Sequence, residues 1–164
     1  MSFQKQVNAN QALGNVGQIS KAHHSFLNVI PAIAADEFVK VGSFVQSKAA
    51  ATNENEVIGA SGKAITGSIL GVVVRDSLKV AADSTPTLAV KKGENCAVLT
   101  EGSIFIEVNV IAKKGQYVFL KTADGSLGFY NASTQNDYTY TGFRVSKGND
   151  TATAGIIEIT TARA

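Results

Sequence analysis

An all-β fold, one sandwich or barrel preceded by an extended N-terminal arm, follows from three observations. Short runs rich in β-branched and aromatic residues recur from Phe26 to Ile159, most of them bounded by Gly, Asn, Asp or Ser. No window of about a dozen residues carries the apolar spacing of an amphipathic helix, and Ala-rich 46–51 offers one turn at most. Residues 1–35 have a different texture: they hold Lys5 and Lys21 but no Asp or Glu, and they show neither a helical nor a strand period. With 164 residues, 45% of them hydrophobic, the chain buries one core but not two. The division is therefore an arm over 1–35 and a β body over 36–164.

The apolar residues of the arm (Phe3, Val7, Leu13, Val16, Ile19 and Phe26) are too sparse for a core yet too many for a solvated linker. Phe26–Ile30 is apolar and then meets Pro31, and Phe38–Val45 is rich in β-branched and aromatic residues. Strand-like runs follow at Ser68–Val74, Thr87–Val90, Cys96–Leu99, Ile104–Ile111, Tyr117–Leu120, Leu127–Tyr130, Gly142–Val145 and Gly155–Ile159. Many short strands with turn chemistry between them argue a sandwich or barrel. A weak repeat places Lys91-Lys-Gly93 and Lys113-Lys-Gly115 in register, each followed by a strand and a second glycine turn, Glu101-Gly102 and Asp124-Gly125. Each copy reads as one β-hairpin, with the Asp-Gly pair suited to a type I′ turn. The lysines keep these turns soluble and discourage edge pairing.

Composition excludes several functions. Lys+Arg 15 against Asp+Glu 13 leaves a net charge of +2, far from the dense basic patch that nucleic acid demands. The N-terminus lacks an apolar signal region, and no stretch approaches the roughly 18 apolar residues of a membrane span. The expectation is a soluble protein made in the cytoplasm, with no membrane partner. Cys96 is the single cysteine and reads as a buried strand thiol.

Chemistry-bearing residues are few, and no catalytic, cofactor or metal site is expected. His23 and His24 are adjacent, so in extended chain they point opposite ways and cannot easily share a metal; without another His, no Ser-His-Asp triad assembles. Gly59-Ala-Ser-Gly62-Lys63-Ala64 resembles the end of a phosphate-binding loop, but Val57 replaces the first glycine and Ala64 the final Ser or Thr. Asp36-Glu37 and Glu54/Glu56 sit in polar, loop-like stretches where carboxylates are solvated. Tyr138 and Tyr140 alternate and share one strand face, as a stacking platform for a sugar would, or as a cross-strand packing pair.

Several stretches, in order, resemble the structural cement (head decoration) proteins of tailed bacteriophages. Phe3-Gln-Lys-Gln-Val7 with Gly14-Asn-Val-Gly17 is similar to that family's N-terminal arm, Val41-Gly-Ser-Phe-Val45 to its first barrel strand, and Gly71-Val-Val-Val-Arg-Asp76 to the strand end that follows. Lys92-Gly93 through Glu101–Val108, and Ala112–Phe119 with Asp124-Gly125, are similar to its paired hairpins. An acidic residue after the second arm glycine and an arginine before the first-strand Phe are replaced here by Gln18 and Ser43. Nothing past Tyr130 matches.

The resemblance implies a β-barrel or β-tulip-like body, not an enzyme, on the outside of the virion. There it would bind the major capsid protein, bridge neighbouring capsid subunits, and assemble with itself as a trimer first and a dimer second. Phe3, Val7, Leu13, Val16, Ile19 and Phe26 would be the partner-binding residues of the arm. The alternative is a β-rich adhesion or carbohydrate-binding module using Tyr138 and Tyr140, weakened by 7% aromatics and no Trp. If fully buried, each arm hydrophobe gains roughly 1.5–3 kcal/mol. Ordering each residue's backbone costs about 1–2 kcal/mol. The arm is thus expected to order only on a partner.

Overall fold

The computed structural model describes residues 14–20, 27–50, 53–75, 88–149 and 154–161. Among them lie twelve strands and no helix: β1 Asn28–Ala34, β2 Phe38–Lys40, β3 Phe44–Ser47, β4 Glu56–Gly59, β5 Ile69–Val73, β6 Ala89–Lys91, β7 Asn95–Glu101, β8 Ser103–Val108, β9 Tyr117–Lys121, β10 Leu127–Tyr130, β11 Tyr138–Lys147 and β12 Gly155–Thr161. The all-β expectation and the barrel both hold. Strands β1-β4-β3-β5-β7 close a five-stranded barrel, β10-β9-β11-β12-β8 form a five-stranded sheet, and β2 pairs with β6 as a ribbon. Every pairing is antiparallel except β1 with β4.

Adjacent residues on a strand face opposite sides, and β3, β5 and β7 bury both. Val45, Val73 and Val98 fill the barrel with Ala32, Ala34 and Val57. Their neighbours Phe44, Val72 and Leu99 turn outward to meet Ile104, Ile106, Val118, Leu120, Phe143, Ile157 and Ile159 of the sheet. A second core thus forms the seam between barrel and sheet. Strands buried on both faces read as unbroken apolar runs, which is why these segments stand out in the sequence.

Buried Gln46 ties a loop to the barrel. Its Nε2 donates to the Ala64 carbonyl at 3.0 Å, and its Oε1 accepts from the Thr66 and Gly67 amides at 2.8 and 2.9 Å. Gln46→Leu leaves all of these without a partner. At about 1–3 kcal/mol per buried unpaired group, with water able to reach part of the loop, we expect a loss of about 2–3 kcal/mol. Denaturant unfolding checks this, and an unchanged midpoint would show that the loop is held by other contacts.

The structure departs from the sequence expectations at five points. Asn28–Ala34, assigned to the arm, is barrel strand β1, and it runs through Pro31. Ala97 opposite Pro31 receives the Val74 amide on its other side. Pro31 is therefore a non-hydrogen-bonded position whose missing N–H faces away from β7, ahead of the point where β4 joins at Ile33. The Phe38–Val45 run is broken by a turn at Val41–Ser43, and Glu56–Gly59 is a strand that the sequence did not signal. In the repeat, β9 and β10 do pair as a hairpin, but β7 belongs to the barrel and β8 to the sheet. Glu101-Gly102 is the corner where the chain changes sheets. Finally, the Asp124-Gly125 turn is not type I′, which needs positive φ at both residues; Gly125 has it (φ 66) and Asp124 does not. The Gly125 amide instead bonds the Lys121 carbonyl at 2.8 Å, and Asp124 accepts from Ser126.

Candidate functional site

The arm's root, Gly14–Ser20, is built into the body. Asn15-Val-Gly-Gln18 forms a turn closed by the Gln18 amide on the Asn15 carbonyl at 2.9 Å, with Gly17 at φ 75 in the position where a type II turn needs positive φ. Gln18 reinforces it, its Oε1 accepting from the Asn15 amide at 3.1 Å. Beyond the turn the chain lies antiparallel along β8. The Gly17 amide donates to the Phe105 carbonyl, the Phe105 amide to Gln18, and the Ser20 amide to Ser103, at 2.8, 3.0 and 2.8 Å, with Ile19 bridging Ile104. The Arg75 amide reaches the Gly17 carbonyl at 2.7 Å. β8 would otherwise be an open edge of the sheet, and the root covers it.

The spacing of the arm glycines now has a physical cause. A Cβ on Gly14 would stand 2.4 Å from the Phe105 ring, and one on Gly17 would stand 2.4 Å from Val41 Cγ1. Gly42, on the β2–β3 turn, is the counterpart: a Cβ there would lie 2.3 Å from Val16 Cγ1 and 3.0 Å from the Gly17 amide. Two glycine backbones therefore touch where arm and barrel meet. Ser43 donates its hydroxyl to the Lys40 carbonyl at 2.6 Å and completes the same turn.

Of the arm residues singled out in the sequence, Phe3, Val7, Leu13 and Phe26 lie outside the described residues. Val16 and Ile19 are half-buried, Val16 on Gly42 and Ile19 against the seam core, so their packing is on this chain's own body. The expectation that the whole arm orders only on a partner is thus corrected for Gly14–Ser20. Main-chain bonds to β8, which no single-chain reading of apolar content could count, offset the ordering cost there.

The other candidates resolve into structural roles. Asp36 accepts from the Gly59 amide at 2.8 Å and pairs with Lys63 at 2.5 Å, so the glycine-lysine loop is clasped by a carboxylate where a phosphate reading would need an anion. Glu56 pairs with Lys48 at 2.7 Å. His23 and His24 lie outside the described residues, and among those described no three His, Cys, Asp or Glu side chains stand together.

Tyr138 and Tyr140 do share a face, with Tyr117, Phe119 and Tyr130. Their rings meet one another at 5.1–5.7 Å, mostly edge to face, and Tyr140 stands opposite Phe119 on β9. This is cross-strand packing. Burial raises the Tyr140 phenol above its ordinary value of 10.0, partly countered by Arg144, while a hydrogen bond with Tyr138 and then burial raise Tyr130. A raised pKa means the folded state keeps a proton that the unfolded chain releases. Its stabilisation is whole below about pH 10 and is lost as pH climbs through the raised values. Ultraviolet difference titration should therefore show two phenols ionising late, together with a fall in stability at alkaline pH. Ionisation of Tyr130 and Tyr140 at the ordinary value would contradict this.

The chain matches the family model described as "Structural cement protein (E217 gp24/Pam3 gp6)" over residues 3–162. The chain belongs to the structural cement protein family. The match runs past Tyr130, through β11 and β12, where the sequence alone offered no resemblance. Among solved structures it is similar to a chain of "The capsid of Myoviridae Phage XM1", with a TM-score of 0.62 and 17% identity over 98% of this chain and 97% of that chain. No curated protein matches it. A structural cement protein stabilises a phage capsid as a decoration of the shell, a structural role.

Proposed function

We propose that this cement protein sits on the outer capsid surface and bridges neighbouring major capsid subunits with the arm ahead of its root. The anchored root carries this reading, because it gives residues 1–13 a fixed point of departure from a rigid body. Fully extended, they reach about 45 Å, enough to cross onto an adjacent subunit. Phe3, Val7 and Leu13, all ahead of the root, are the side chains assigned to that contact, while Phe26 follows the root and is assigned to the capsid beside it.

Each arm contact is weak alone, and tethering gives it a high effective concentration only where subunits are correctly spaced. The protein therefore prefers the assembled lattice to free subunits, and by binding the intact shell it opposes its dissociation. Binding measured in parallel to assembled shells and to unassembled capsid protein should favour shells by about a hundredfold or more. Equal affinity for both would overturn the bridging reading.

A further inference from the structure

Alternation along the strands sorts the side chains of the five-stranded sheet. Ile104, Ile106, Val118, Leu120, Ile157 and Ile159 face the seam with the barrel. Phe105, Phe119 and Glu158 therefore face the other way, on the same side as the tyrosine cluster. Among the described residues, three buried polar atoms of that outer face have no hydrogen-bond partner: Glu158 Oε1, Arg144 Nε and the Tyr140 hydroxyl. Glu158 is 1% exposed, and only its Oε2 faces a charge, the Lys147 ammonium at 3.9 Å. Arg144 spends Nη2 on the Tyr117 hydroxyl at 2.5 Å, and its nearness to Tyr140 leaves both Nε and the Tyr140 hydroxyl unbonded. Buried groups in this state are costly and call for partners. Glu158 needs a donor, Arg144 Nε an acceptor, and the phenol takes either.

The arm enters on this face. Gly14 rests on the Phe105 ring, and Phe105 stands opposite Glu158 across β8 and β12. Directly upstream the chain reads Asn8-Ala-Asn-Gln-Ala-Leu13. Its three side-chain amides each carry donors and an acceptor, which matches the mixed needs of the three buried atoms. Residues 1–13 hold Lys5 but no Asp or Glu, so no charge in the segment repels Glu158. Reach is sufficient as well. Six extended residues span about 20 Å, and the path from β8 across β12 and β11 to β9 is about 14 Å at the usual strand spacing.

We propose that, away from the shell, residues 8–13 lie across the outer face of this chain's own sheet, with the amides of Asn8, Asn10 and Gln11 meeting Tyr140, Arg144 and Glu158. The segment that fastens to the capsid is then stored on the body until the lattice draws it off. That storage role rests on the bridging reading above, whereas the docking itself does not. Asparagine, glutamine and alanine bury little apolar surface to offset the entropy of ordering, so the docked segment is weakly held and the shell displaces it.

A nitroxide on Ala9→Cys tests the docking in the full chain without capsid, buried Cys96 escaping the label. Paramagnetic relaxation of the Phe119, Tyr140 and Glu158 amides should exceed by several-fold that of Val41 and Arg75, which border Gly17 of the root. Adding Asn8→Ala, Asn10→Ala and Gln11→Ala to the labelled chain should bring the two sets level. Mixing labelled protein with an isotope-enriched, unlabelled copy should show no transfer of the effect. Relaxation spread evenly about the root, a pattern unmoved by the triple substitution, or transfer between molecules would overturn the proposal. Shell binding is a separate readout. A focused pattern in a protein that binds shells equally well without residues 1–13 would uphold the docking and refute only the bridging.

Discussion

Phe143→Ala should cost the protein about 3–5 kcal/mol, the range for removing a buried aromatic side chain. Phe143 is 1% exposed and meets the Phe44 ring edge to face at 5.7 Å. One ring comes from β11 of the sheet and the other from β3 of the barrel, so the pair lies on the seam. The truncation removes apolar area from the shared core and also an aromatic contact worth about 0.5–1.5 kcal/mol beyond that area. For a chain of this length the melting temperature falls by something on the order of 10 °C. Denaturant unfolding should show a lower midpoint with an unchanged slope, the mark of lost stability rather than a changed unfolded state. A loss below about 1 kcal/mol would mean that barrel and sheet do not depend on their seam.

The second large effect concerns the arm root. Gly17→Ala forces an alanine to φ 75, costing roughly 1–2 kcal/mol, and drives its Cβ to 2.4 Å from Val41 Cγ1 and 3.1 Å from the Arg75 amide. Overpacking of that kind adds about 1–3 kcal/mol. The root is held by a handful of main-chain bonds, so we expect it to lift from β8. Hydrogen exchange at the Gly17, Ser20 and Phe105 amides should then quicken markedly. Gly93→Ala is the control: its φ is 81, but nothing lies within 4 Å of the added Cβ, so it bears the conformational strain alone. Equal losses for the two variants, with protection at Phe105 intact, would show that the glycine contact does not seat the arm.

What the sequence revealed follows the range of the interactions involved. β5, β7 and β8 announce themselves because burial on both faces, or nearly so, demands apolar residues at almost every position. β4 passed unseen because Glu56–Gly59 buries only Val57 fully, and so short a run carries no period. Pro31 read as a strand end, yet register places its missing donor on an unpaired side, a fact fixed by β7 far along the chain. The lysine-glycine repeat was visible, but which copy folds back as a hairpin depends on the corner at Gly102. Gly14 and Gly17 stand out in the sequence as a motif, while their partner surfaces, Phe105 and the Gly42 turn, are distant in sequence and meet them only in the fold.

The central claim, that the arm ahead of the root fastens this cement protein to the shell, is tested most directly by deleting residues 1–13 and leaving Gly14–Ser20 in place. A longer deletion would strip the β8 edge and confound binding with folding. Full-length and shortened protein are sedimented with undecorated capsids, and the temperature of DNA release is recorded for each mixture. The account predicts that the shortened protein stays folded, no longer co-sediments, and leaves the release temperature at that of the bare shell, while the full-length protein binds and raises it. Equal binding and equal protection by the two proteins would contradict it.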